Sequence, residues 1–268
     1  MLSPPASLTP AGEAGKVMRP RVDIYPSKAD LESAAGSEIL QIVRLAIRER
    51  GVCTLALSGG ETPRDLYRRL AALPPGEAPD WSRIHLCFGD ERMVPPDDPE
   101  SNYGMVRHEI ISRVPLPAGN VHRIRGERPP EIAAAEYAAD LGRTLPLSGG
   151  RFDLVLLGLG DDGHTASLFP GTDVLREREK SVCAVYVERL SVWRVTVTLP
   201  VINRARNVLF LVSGSGKKEI VRKVLASVSP AAELPAMLVN PSDSPPHWIL
   251  DSGAGASIQT GTEESGNQ

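Results

Sequence analysis

Cysteine is scarce in this sequence: Cys53, Cys87 and Cys183 are the three in 268 residues. They stand far apart inside apolar stretches, a spacing that suits neither a metal site nor a redox pair. Buried, reduced thiols in a cytoplasmic protein are therefore expected. Aromatic residues are also few, with four Phe, three Trp and five Tyr, so aliphatic side chains must build the core. No apolar run approaches the roughly 18 residues that span a bilayer. The amino terminus lacks the basic start and long apolar core of a secretory signal, and no membrane association is expected. A surplus of charge is missing too: the formal net charge is −3, without the basic excess that nucleic-acid binding favours.

What the sequence does have is alternation. Residues 28–50 carry Ile39, Ile42, Val43, Ala46 and Ile47 at helical spacing, and Gly51 stands as a stop. The run 52–57 reads as a buried strand, broken by Ser58-Gly-Gly60. Thr62 as N-cap with Pro63 at the first helical position predicts a helix through about Leu73. A second strand at 84–88 leads into Asp90-Glu-Arg92, which reads as its end. Helices are expected near 101–113 and 130–144, then strands at 152–157, 182–187, 193–198 and 207–212, a helix from Lys217 to about Ser227, and a strand at 247–250. This alternation predicts an α/β fold: a doubly wound, mostly parallel sheet with helices on both faces, the 182–198 pair forming a small antiparallel edge. No linker divides the chain. One domain is expected over 21–252, flanked by flexible tails at 1–20 and 253–268, both rich in small and polar residues.

Several segments carry chemistry at strand ends, where open α/β sheets bind ligands. Ser58-Gly59-Gly60-Glu61-Thr62 joins a strand to a helix start, a geometry whose free N–H groups suit phosphate. The same residues would also make a tight turn with no ligand. Lys217 follows a Ser-Gly-Ser-Gly turn and resembles a second phosphate grip, or else a solvated lysine. It is not a P-loop, because Leu211 stands where the first Gly is needed and Lys218 where Ser or Thr is needed. Arg194, in an alternating strand, reads from the residues alone as a solvent-face arginine. Asp90, Glu91 and Arg92 are either a local salt-bridge cluster or a place where Arg92 orients an anionic or polyhydroxylated substrate.

Gly158-Leu-Gly-Asp-Asp-Gly163 formally matches the dinucleotide fingerprint, but Asp161 and Asp162 would repel a pyrophosphate. An NAD(P)-dependent oxidoreductase is not expected on that ground. His164 is the best placed of the five histidines. A histidine at a strand end is often just a satisfied polar residue; Asp162, two residues earlier, favours a base, since a carboxylate fixes an imidazole and raises its basicity.

Ser58-Gly-Gly-Glu-Thr-Pro63, Gly89-Asp-Glu-Arg92 with Asp98 and Ser101-Asn102, Gly158 to Gly171, Arg194-Val-Thr and the Gly214–Lys217 turn occur in one order. Together they resemble the 6-phosphogluconolactonases of the glucosamine-6-phosphate isomerase/6-phosphogluconolactonase superfamily, over about residues 22–250. The resemblance implies a doubly wound sheet, no metal or cofactor, and hydrolysis of 6-phosphogluconolactone to 6-phosphogluconate in the pentose phosphate pathway. It also implies His164 as catalytic base, phosphate held by Ser58, Gly59, Gly60, Arg194 and Lys217, and Arg92 facing the substrate. Thr62 is expected to share in the phosphate grip and Asp162 to hold His164. Two departures are small: Glu61 occupies a variable position and Asp161 adds a charge beside Asp162.

The deaminase branch of the same fold has a Glu five residues after the equivalent His, where this sequence has Phe169. That position favours hydrolysis over a glucosamine-6-phosphate-type isomerase or deaminase. A non-catalytic sugar-phosphate sensor is the other alternative, but there is no room outside the tails for a helix-turn-helix output module. The expected partner is a small sugar-phosphate lactone, acted on by a monomer or weak homodimer.

Overall fold

The computed structural model describes residues 18–226 and 234–258. Two sheets share the chain. Six parallel strands form the larger one: β1 (Arg21–Tyr25), β2 (Cys53–Leu57), β3 (Ile84–Phe88), β5 (Leu154–Leu157), β8 (Val208–Val212) and β9 (His247–Asp251). Their spatial order is β1-β9-β8-β5-β2-β3. β4 (Asp90–Arg92), β6 (Val182–Val187) and β7 (Val192–Val197) make a small antiparallel sheet in the order β4-β7-β6. The expected doubly wound α/β architecture is present, and the expected antiparallel edge is a sheet of its own.

The long first helix, α1 (Lys28–Arg50), begins where Ser27 accepts from the Asp30 N–H and ends at Gly51. α1 packs against α2 (Glu61–Ala71). Leu55, Leu57, Ile84, Leu86 and Leu156 project alternately from β2, β3 and β5. They meet Ile39, Val43, Tyr67 and Leu70 from the two helices, together with Ile110. Ile110 belongs to a π-helical turn, Arg107–Ile111, that continues α3 (Asn102–Val106). α4 (Pro130–Thr144) packs against the small sheet. The hydroxyl of its buried Tyr137 also clamps the backbone N–H and C=O of Phe88 at 2.8 Å each. α5 (Leu199–Asn203) and α6 (Lys218–Leu225) flank β8 in sequence.

Four expectations change. α2 starts at Glu61 with Gly60 as its N-cap, so Thr62 is not the cap; its hydroxyl instead pairs with Ser213 Oγ at 2.8 Å. Asp90–Arg92 does not finish the buried strand before it. Gly89 donates to Leu57 O and accepts from the Val197 N–H, both at 2.9 Å, so the chain changes sheets there. β1 escaped notice because Arg21-Val-Asp-Ile-Tyr25 is a half-exposed edge strand with charged residues. The packed chain also runs past 252: Ala254 is fully buried and its N–H bonds Asp251 Oδ1 at 2.8 Å, while Ile258 packs against the core. The remaining parts of the expected tails, 1–17 and 259–268, and Ser227 lie outside the described residues.

The topology fixes where a ligand belongs. From β2 the chain winds outward to β3 on one side and, through β5, to β8 and β9 on the other. The winding reverses between β2 and β5, and the crevice beyond the carboxyl ends of strands at such a reversal is the binding position in doubly wound sheets.

Candidate active site

Three loops leave the carboxyl ends of β2, β5 and β8 and enclose a cleft of about 470 Å³. The β2 loop supplies Ser58, Gly59, Gly60 and Thr62; the β5 loop supplies Gly158, Gly160 and His164; the β8 turn supplies Ser213, and Lys217 follows it. Arg92 and Asp90 enter from β4. Most residues predicted from the sequence therefore meet in one place. Asp162 sits behind His164, and Arg194 lies beside the cleft, directly opposite Arg92 in the β4–β7 ladder.

The β2 turn is held from behind. The buried Tyr67 hydroxyl donates to Ser58 O at 2.8 Å and accepts from Ser58 N–H at 3.1 Å. Ser58 Oγ is itself buried and has no hydrogen-bond partner among the described residues. A buried hydroxyl without a partner is costly unless something binds it. Gly59 lies against the Asn102 carboxamide, which a Cβ at 59 would overlap. α2 then opens with no side-chain cap, leaving its first N–H groups to the cleft.

Asp90 and Glu91 prove to be braces. Ser167 Oγ donates to Asp90 Oδ2 at 2.7 Å, and Asn102 Nδ2 bonds the Asp90 carbonyl at 2.9 Å. Glu91 is buried. It accepts from the N–H groups of Arg92, Asn102 and Tyr103 at 2.7–2.8 Å. Burial nevertheless pushes its carboxyl up, against those three bonds. These contacts fix Arg92, whose Nη1 donates to Glu100 O at 2.6 Å.

Arg194 is half-buried and has no ion-pair partner among the described residues. Burial and the neighbouring Arg92 charge both lower its pKa. Two guanidinium groups placed opposite each other, with the Asp90, Glu91 and Glu100 carboxylates offsetting part of their charge, offer paired donors suited to an anion.

His164 sits on the β5 loop, folded by bonds from Gly160 N–H to His164 O at 2.9 Å and from Thr165 Oγ1 to Gly158 O at 2.9 Å. Its ring lies against Gly160, where a Cβ would overlap it. Nδ1 pairs with Asp162 Oδ1 at 2.5 Å. Burial works against ionising Asp162, but the His164 ring and N–H and the Arg189 charge together hold its carboxyl down at about 2. An ionised carboxylate can only accept, so Nδ1 carries the proton, and it is Nε2 that a neutral imidazole presents as acceptor. The other face of the geometry is aromatic: Phe169 stacks on the imidazole with ring centroids 4.1 Å apart and planes at 28°.

One residue at this site carried no sequence signal. Arg189, in the turn between β6 and β7, places Nη2 2.6 Å from Asp162 Oδ2. It stands 25 residues after His164 and on the other sheet, and nothing local marks it. The dinucleotide reading of Gly158–Gly163 finds no support here: Asp161 and Asp162 engage Lys217 and His164 across that loop.

Comparison with known proteins gives a consistent picture. A family described as glucosamine-6-phosphate isomerases/6-phosphogluconolactonase matches residues 26–248. A 6-phosphogluconolactonase from Synechocystis is 38% identical over 248 residues, covering 90% of this chain and 100% of that protein. The 6-phosphogluconolactonase of Homo sapiens is 38% identical over 241 residues, with 87% and 92% covered. Among solved structures, that of the devB protein superposes with a TM-score of 0.79 at 35% identity, covering 89% of this chain and 99% of that one.

Proposed function

The chain belongs to the glucosamine-6-phosphate isomerase/6-phosphogluconolactonase family, and we propose that it performs its lactone hydrolysis with water activated by His164. The reaction converts 6-phosphogluconolactone to 6-phosphogluconate in the pentose phosphate pathway, and the enzyme is a carboxylic-ester hydrolase. The observation that carries the mechanism is the His164–Asp162 pair at the cleft, in which Nε2 has no hydrogen-bond partner among the described residues.

The phosphate is held by the Ser58–Thr62 turn, Arg194 and Lys217, with the free Ser58 hydroxyl and the unpaired Arg194 as its strongest supports. This anchoring sets the lactone carbonyl beside His164. Nε2 takes a proton from water, and the resulting hydroxide forms a bond to the carbonyl carbon. The tetrahedral oxyanion then re-forms the carbonyl as the ring C–O bond breaks, and the imidazolium returns its proton to the leaving ring oxygen. Arg92 and the N–H groups of the glycine turns line the cleft as donors for that oxyanion. Lactones are reactive esters, so no covalent nucleophile is required. Thr62 acts through Ser213, linking the β2 and β8 turns.

Phe169 supports hydrolysis over deamination. An apolar ring packed on the imidazole fills the position where the deaminase pattern has a carboxylate for proton transfer. Three free cysteines, two of them buried, support a reducing, cytoplasmic location. No helix among the described residues is long and apolar enough to cross a membrane.

The test is acid release from freshly generated 6-phosphogluconolactone. His164→Ala should lower kcat by about 10²–10⁴-fold with KM nearly unchanged; an unaltered kcat removes His164 from the role. Ammonia release from glucosamine 6-phosphate would instead establish the deaminase.

A further inference from the structure

His164 is held by more than its aspartate. Asp162 bonds the imidazole through Oδ1 at 2.5 Å, while its buried Oδ2, with no hydrogen-bond partner among the described residues, lies 2.6 Å from Arg189 Nη2 as an ion pair. The Arg189 guanidinium carbon also lies 5.3 Å from the centre of the Phe169 ring, and that ring is stacked on His164. The contacts close a cycle, His164–Asp162–Arg189–Phe169, in which Arg189 touches both neighbours of the imidazole and not the imidazole itself. Arg189 is brought there by a tight 3₁₀ turn, Glu188–Leu190. Ser191 closes that turn at φ +52°, a costly conformation for a non-glycine residue.

We infer that Arg189 is the positioning residue of the His164–Asp162 pair, fixing the carboxylate from its outer oxygen and covering the ring on which the imidazole rests. Two observations distinguish this from an ordinary surface ion pair. The partner carboxylate is largely covered, with 23% of its side chain exposed, and its other oxygen is committed to His164. A carboxylate hydrogen-bonded through one oxygen and ion-paired at the other is restricted in orientation, and so is the imidazole bonded to it. The same guanidinium also makes a cation–π contact with the aromatic support of that imidazole.

Arg189 does not line the substrate cleft; it lines a neighbouring groove with Phe169, Val187 and Trp193. Its removal should therefore change the rate of the chemical step and not the binding of substrate. The charge has a second effect. On its own side of the cleft His164 faces Asp162 and, behind it, Arg189. Across the cleft stand Asp90, Arg92, Glu61 and the Lys217–Asp161 pair. Deleting the Arg189 cation leaves the region around the imidazole more negative, favours the imidazolium, and moves the acid limb of kcat/KM to higher pH.

This inference rests on His164 being the base, so the experiment includes His164→Ala beside Arg189→Met and Arg189→Lys. Steady-state lactonase kinetics across pH and thermal melts are measured on each full-length variant. The expected result for Arg189→Met is a kcat lower by about 10- to 100-fold, KM within about twofold, and an acid limb displaced upward. Arg189→Lys should return the limb to its wild-type position and recover part of kcat. Wild-type kcat and limb in Arg189→Met would overturn the inference, as would a lysine variant no better than methionine. A loss of Tm with the limb unmoved would reduce Arg189 to a fold-stabilising role and equally overturn it. If Arg189→Met does not fold, Arg189→Gln carries the same comparison. An active His164→Ala would bring down the underlying reading instead.

Discussion

Lys217 Nζ lies 2.6 Å from Asp161 Oδ1, so in the phosphate grip proposed above the substrate would have to displace a carboxylate of the same chain. Asp161 is 86% exposed and moves at little cost. Exposed pairs of this kind are worth roughly 0.2–1 kcal/mol, so Asp161→Asn should lower KM by up to about fivefold and leave kcat within about twofold. Initial rates on the phosphorylated lactone check this; an unchanged or higher KM contradicts it.

Arg194 presents the reverse case, a cation with no ion-pair partner among the described residues and Arg92 opposite. Arg194→Met should raise KM for 6-phosphogluconolactone by at least about tenfold, since charge-assisted bonds contribute about 1.5–3 kcal/mol each. The same substitution should hardly change KM for an unphosphorylated lactone. Melting temperature should hold or rise, because burial and like-charge repulsion both act against this guanidinium in the empty cleft.

Gly160 is a steric requirement of the imidazole. Gly160→Ala puts a methyl where the His164 ring lies, and displacing a catalytic group by about 1 Å costs on the order of 10²-fold in rate. Circular dichroism should remain that of the wild type while kcat falls. A fully active Gly160→Ala enzyme would show that His164 works from another position.

Asp162 links catalysis to acid stability. Its carboxyl sits at about 2 in the folded protein against an ordinary 3.8. A depressed carboxyl stabilises the fold fully above its unfolded value and loses that contribution as pH falls through the folded one. Asp162→Asn should therefore lose less stability than wild type between about pH 3.8 and about pH 2, as read from urea melts. Its kcat at neutral pH should fall by about 10²–10⁴-fold, because an amide does not hold the productive tautomer of His164.

The amino-acid sequence by itself determined β2, β3, β5 and β8, because 53–57, 84–88, 154–157 and 208–212 are predominantly apolar runs of strand length, as strands covered by helices require. It also marked His164, Asp162, the Ser58–Gly60 turn and Lys217 as candidates, since each is signalled by its immediate neighbours: glycines, a carboxylate two places away, a strand before and a helix after; the fold brings all of them to or beside one cleft. Long-range partners are a different matter. Arg194 reads from its neighbours as a solvent-face residue, and only the family resemblance put it at the phosphate; the ladder sets it against Arg92. Asp90 and Glu91 read as charge carriers until Ser167, Asn102 and Tyr103 surrounded them. Thr62 read as a helix cap until Ser213, 151 residues away, claimed its hydroxyl. Arg189 gave no signal at all, because its role depends on a carboxylate and a ring brought to it from the other sheet. Local sequence records local geometry and burial; which charges meet across the cleft is decided by strand order and register, and these arise when the whole core packs.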